Sequence, residues 1–177
     1  MKRELFESLN PEKPTDMTED IIPEAVKSGE AVLLDGKGYY KRITTPEAFL
    51  DCQRHMLYNE NMSQRLTENN FSGAAIGEPV YIGENVSVMS GSVIESGSVI
   101  DNNAVVKGGK VNGYVGIGSV ISERCDINSA VVCRGAVLDS GVKCGEYSVM
   151  GEKAHIASEA VIEKGVGIWS GKTVEKG

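Results

Sequence analysis

Along the second part of the chain, aliphatic or soft apolar residues recur six positions apart: Ile76, Ile82, Val88, Ile94, Ile100 and Val106, then Val115, Ile121 and Ile127, then Val132, Leu138, Cys144, Met150, Ile156, Ile162 and Ile168. Four residues after many of these stands a small or β-branched residue: Val80, Val86, Ser92, Ser98, Ala104, Cys125, Val131, Ala136, Ser148, Ala154 and Ala160. Glycine, aspartate or asparagine often fills the turn between. A helix returns its apolar stripe every 3.6 residues and a strand every two, so neither element alone yields a period of six. The pattern predicts one short strand and one turn per repeat, with the bulky side chain inward and the small one at a corner. Three repeats close a triangle, and successive triangles stack at the strand spacing of about 4.8 Å. The expected fold is therefore dominated by β-structure: a left-handed parallel β-helix of about five coils over residues 71–177, preceded by a small α/β extension over residues 1–70.

Two breaks interrupt the register. Between Val106 and Val115 three residues are added, which predicts a small outward glycine-rich loop over 107–113, solvated unless it contacts a ligand. Between Ile127 and Val132 one residue is lost. Glycine marks the boundary with the extension, since 18 of its 21 occurrences follow residue 71. Within the extension, Thr18 is expected to cap a helix running to about Ser28, with Ile21, Ile22, Ala25 and Val26 inward and Gly29 terminating it. Ala31–Asp35 and Tyr39–Ile43 read as two strands around Gly36-Lys37-Gly38. Thr45 caps a second helix, with Pro46 at its first position, running to about Leu57 with Phe49, Cys52 and Met56 on one face. The polar stretch Asn59 to Asn70 is a linker or a continuation of that helix.

Charge removes several partners. The net charge is -7 with a pI near 4.9, and no basic cluster is present to release counterions from nucleic-acid phosphates. No apolar run approaches the roughly 18 residues of a membrane span. The opening Met-Lys-Arg-Glu-Leu-Phe-Glu lacks a signal peptide's apolar core, so a cytoplasmic location is expected. Cys52, Cys125, Cys133 and Cys144 have no C-x-x-C spacing and read as free, mostly buried thiols. No metal site is expected.

The hexad pattern resembles the hexapeptide-repeat superfamily, which includes acyltransferases using acetyl-coenzyme A, carbonic anhydrases of the γ class, and the C-terminal domains of sugar nucleotidyltransferases. The three-histidine zinc site of the γ carbonic anhydrases cannot be assembled from His55 and His155 alone. The acyltransferases use a histidine as general base in a cleft between subunits, which makes His155 the candidate catalytic residue and acetyl-CoA the candidate co-substrate; a solvated histidine on an outer face is the plainer alternative. The segment Thr18-Glu-Asp-Ile-Ile-Pro, with Gly38-Tyr39-Tyr40-Lys41-Arg42-Ile43-Thr44-Thr45-Pro46-Glu47-Ala48-Phe49, is similar to the end of a sugar nucleotidyltransferase catalytic domain of the mannose-1-phosphate guanylyltransferase type. Gly167-Ile168-Trp169-Ser170-Gly171 resembles the β-helix of those proteins.

That second resemblance implies a role without catalysis of its own. The family's glycine-rich phosphate loop is missing, so the chain alone is not expected to bind a nucleotide. Arg42 stands where the family has its metal-binding aspartate, and a cation there repels Mg²⁺. The chain opens within what would be the catalytic domain and stops inside a repeat, as an excerpt or a short paralogue would. The leading expectation is an oligomerising or regulatory scaffold with no cofactor, serving a catalytic nucleotidyltransferase domain or subunit. The alternative is an acetyl-CoA-dependent acyltransferase. A homo-oligomer, with a trimer favoured, is expected from outward apolar residues such as Tyr81, Val93, Val99, Val105 and Val120.

Overall fold

The structure, a computed structural model, describes residues 14–32, 35–60, 62, 64–65, 71 and 73–176. Leu33, Leu34, the opening heptapeptide and most of the 59–70 linker lie outside the described residues. The chain divides into two compact units, Met1–Tyr40 and Lys41–Gly177.

In the first unit, a π-type turn at Met17–Ile21 runs into helix α1, Ile22–Lys27. The cap is Asp16, not Thr18. One carboxylate oxygen of Asp16 accepts from the N–H groups of Thr18 and Glu19 at 2.7 and 2.9 Å. A carboxylate serves two orphan donors and suits the positive helix end, so capping falls two residues earlier than expected. Gly29 ends the helix with φ +74, as its position predicts. Only Ile21 is buried; Ile22 and Val26 are exposed, because a helix of six residues is too short to present a full apolar stripe. Neither expected strand is seen among the described residues: Ala31, Val32, Asp35 and Tyr39–Ile43 are not in strand conformation, and Leu33 and Leu34 lie outside the description. A short lone hairpin without a third strand or a covering helix is marginal in water.

The second unit begins with α2, Pro46–Asn59. The Thr45 hydroxyl oxygen accepts from the Ala48 N–H at 3.1 Å, and Pro46 occupies the first turn, where its missing donor costs nothing. The helix buries Leu50 and Leu57 most deeply, with Phe49, Cys52 and Met56 half-buried beside them.

From Ala75 the chain winds as a left-handed parallel solenoid. Six strands stack on one of its three faces among the described residues, one per coil, so there are about six coils, slightly more than the five expected. Each regular strand is two residues long: the first side chain points out and the second in. All the inward hexad residues from Ile82 to Ile162 are buried in one continuous core. Outward residues form three columns. The first face carries Ala75, Val93, Lys110, Asp126, Lys143 and Val161. The second carries Tyr81, Val99, Tyr114, Val131, Val149 and Gly167. The third carries Ser87, Val105, Val120, Val137, His155 and Thr173.

The residues 107–113 are not an added outward loop. Val111 is fully buried and pairs with Ile94 below and Ile127 above. The break is a shortening: Val105 pairs with Val120, fifteen residues on, whereas Val137 pairs with His155, a regular eighteen. Two repeats have been compressed to five and four residues, so that Lys110–Val115 runs as one strand round the corner between the first and second faces. Asp126–Val132 does the same in the next coil, with a bulge at Ser129. Ala130, not Val131, is the corner residue there; Val131 faces outward on the second face and is nonetheless buried.

The compressed corner seats α2. Gln53 donates from Nε2 to the carbonyls of Gly97 and Gly113 at 2.7 and 3.1 Å, and Arg54 donates to the Ser129 hydroxyl at 3.0 Å. The Phe49 ring stands edge-on to Tyr114 with centroids 5.3 Å apart. Gly113, at φ +146, lies so close to the next coil that a Cβ there would fall on the Ala130 carbonyl. Only glycine lets the two shortened coils nest.

Candidate functional site

The stack that forms the third face also builds its chemistry. Val137 and His155 are register partners in successive coils, so the residue two beyond Val137 lies beside the outward side chain of the next coil. That residue is Asp139, and its Oδ2 is 2.9 Å from His155 Nε2. Both backbones are pinned: the Asp139 N–H donates to the Ile156 carbonyl and the His155 N–H to the Lys172 carbonyl, each at 2.9 Å. The Cys125 thiol reaches the Asp139 carbonyl oxygen at 3.1 Å from the core side.

The pair fixes the tautomer. An ionised carboxylate only accepts, so Nε2 must carry the hydrogen, which leaves the Nδ1 lone pair to accept a proton from elsewhere. The side chains keep 47% and 37% of their exposure, so an incoming molecule can reach them. Beside them on the same face, Val105, Val120 and Val137 form an apolar column.

The other candidates are dispersed. His55 lies on α2, its Nδ1 3.1 Å from the Asn59 amide and its Nε2 3.5 Å from Glu60. Arg42 is exposed ahead of α2. The outward apolar residues are shared among faces: Val93 on the first, Tyr81 and Val99 on the second, Val105 and Val120 on the third. The thiols of Cys125 and Cys144 are buried, and burial pushes Cys144 up to about 12; Cys52 and Cys133 are half-buried, so only two of the four match the expectation of burial. Among the described residues no cluster of three His, Cys, Asp or Glu side chains is placed to hold a metal, and no helix is long and apolar enough to cross a membrane. Sequence reading missed Asp139, although the eighteen-residue coil length is the signal that places it next to His155.

No family model and no curated protein matches the chain. Solved structures do. The acetyltransferase domain of PglB from Neisseria gonorrhoeae is 22% identical over 59% of this chain and 47% of that one, with a TM-score of 0.28. PerB from Caulobacter crescentus, solved with CoA and GDP-perosamine, is 24% identical over 61% and 49%, with a TM-score of 0.32. A hexapeptide transferase family protein from Anaplasma phagocytophilum is 22% identical over 59% and 70%, with a TM-score of 0.37. The chain spans about half the length of the PglB and PerB chains it matches. The likeness is one of fold alone, and it lends nothing to the nucleotidyltransferase resemblance of residues 18–49.

Proposed function

We propose that this chain is an acyltransferase of the hexapeptide-repeat type, using acetyl-CoA as acyl donor and His155 as general base, with its site completed by another copy of the chain against the third face. The observation that carries this reading is the 2.9 Å contact between His155 and Asp139 on an open face, beside the valine column of Val105, Val120 and Val137. The acceptor, an amine or hydroxyl, gives its proton to His155 Nδ1 as its nitrogen or oxygen attacks the thioester carbonyl carbon. The carbon–sulfur bond then breaks, and the departing thiolate takes that proton from the imidazolium. Asp139 holds the ring and stabilises the transient positive charge.

Two features support the fit of acetyl-CoA. The base is reachable from solvent, and the column Val105, Val120 and Val137 offers an apolar surface beside it for a thioester arm and for a neighbouring copy. A homotrimer is the arrangement we propose, since closed symmetry buries an apolar face that is costly to leave wet, at about 25 cal/mol per Å².

The test is thiol release from acetyl-CoA with a panel of amino and hydroxyl sugars, alongside light scattering. Asp139→Asn, which removes the negative charge that stabilises the imidazolium, should lower transfer about 10²-fold or more with the solenoid intact. Val120→Asp should lower both the assembled mass and the activity. No transfer to any acceptor by an assembled protein, or transfer untouched by His155→Ala, would refute the reading.

A further inference from the structure

A groove lies one corner away from His155, where the second face turns into the third. The turns of three successive coils line this groove of about 790 Å³, and its walls include Cys133, Arg134, Gly151, Glu152, Trp169 and Ser170. Its depth is set by a glycine. A Cβ on Gly151 would stand 2.6 Å from both the Ile168 carbonyl and the Ser170 nitrogen, so the turn bearing Trp169 sits directly on the coil below. That turn is held by the Gly171 N–H donating to the Glu152 carbonyl at 2.8 Å and the Lys172 N–H donating to the Trp169 carbonyl at 3.2 Å.

The platform so fixed carries an indole that is 82% exposed. The inward hexad residue of that repeat is Ile168, and the turn hydrogen bonds use backbone alone, so the indole is left to the groove. Arg134 lines the same groove, exposed and in no ion pair among the described residues. Glu152 lies between them. Among the described residues its one ion-pair partner is Lys153, at a long 3.8 Å, and after burial its charge is what raises the Cys133 thiol, so its field reaches the groove floor.

An aromatic platform, a forked cation and a carboxylate in one groove describe a ligand with three parts. The indole face takes a flat ring. The guanidinium takes a phosphate through two parallel N–H donors. The carboxylate accepts from hydroxyls between the two. A bare phosphate does not suffice, because one exposed arginine binds it weakly, and a bare sugar leaves Arg134 without a role. We infer that this groove binds a nucleoside monophosphate group, with the base stacked on Trp169, the phosphate on Arg134 and the ribose hydroxyls toward Glu152. The site lies on the solenoid itself, contrary to the expectation that a chain without the phosphate loop binds no nucleotide. It is independent of the His155 reading.

Trp169 is the single tryptophan of the chain, so its emission reports on the groove alone. Titrating the full chain with AMP should quench that emission saturably, with half-saturation below about 1 mM. Arg134→Gln should raise the half-saturation concentration about fivefold or more, and adenosine should bind correspondingly less tightly than AMP. Inorganic phosphate should leave the emission unchanged, and His155→Ala should leave the AMP titration unchanged. Quenching that does not saturate, adenosine binding as tightly as AMP, or an Arg134→Gln titration identical to the parent would overturn the assignment. Arg134 is exposed in a turn, and far-UV circular dichroism checks that the variant keeps its coils.

Discussion

Gly113→Ala tests whether the shortened coils nest as described. Two costs are expected to add. Gly113 has φ +146, outside the range an alanine adopts comfortably, for a backbone penalty of about 1–2 kcal/mol. The new methyl also falls on the Ala130 carbonyl, backbone in the middle of the strand Asp126–Val132, which has no flexible end to give way. Relief requires moving the two longest strands apart, and it disturbs the Gln53 hydrogen bond to the Gly113 carbonyl, for another ~2 kcal/mol. The reference is Gly91→Ala, at φ +82 with nothing within 4 Å of its Cβ, where only the backbone penalty applies. Urea unfolding followed by far-UV circular dichroism measures both. Gly113→Ala should fall below Gly91→Ala by about 2 kcal/mol at an unchanged slope. Equal midpoints for the two variants would refute the close approach, and with it the reading of residues 107–113 as a compression.

The corner serines provide a second contrast, since Ser119 donates to the Cys133 carbonyl at 2.8 Å whereas Ser148 Oγ is buried with no partner among the described residues. Ser119→Ala should cost about 1 kcal/mol in urea unfolding, while Ser148→Ala should be neutral or stabilising, because it relieves a desolvated hydroxyl. A third outcome concerns pH. Burial, then the Asp101 carboxylate that accepts from its hydroxyl at 3.0 Å, pushes the Tyr114 phenol up to about 12. Its folded value lies above its ordinary one of about 10, so its contribution to stability is complete below pH ~10 and lost as pH rises toward about 12. Tyr114→Phe should flatten the stability curve over that window, and an unaltered slope would contradict the assigned environment.

The solenoid was legible because its signal repeats: every coil restates the same inward residue, so one misplaced position hardly disturbs the inference. The compression was misread because counting in sixes skips Val111 and treats its glycine neighbours as a loop. The alternation Val111, Gly113, Val115, each buried, is the period-two mark of a continuous strand and was present in the sequence. Asp139 was missed for a different reason. It is sixteen residues from His155, and proximity between them exists only once coil length is known. The extension ahead of the second helix was read least well, since Tyr39–Ile43 has strand composition but is not in a strand, and no strand partner for it stands among the described residues. Local preference without a partner does not make a sheet.

The seating of α2 has a mechanical consequence. Gly97, Gly113 and Ser129 belong to three successive coils, and two neighbouring side chains of one helix grip all three. A solenoid pulled from its C-terminal end sheds coils singly, since each bonds only to its neighbours, and every regular coil releases roughly 60 Å of extended chain. The helix interrupts that unravelling. Force arriving at the coil of Ser129 must break the Arg54 bond along with the ladder, and at the coil before it the Gln53 bond to Gly113, so peeling stalls there and a gripped stump persists after the C-terminal coils have run out as thread.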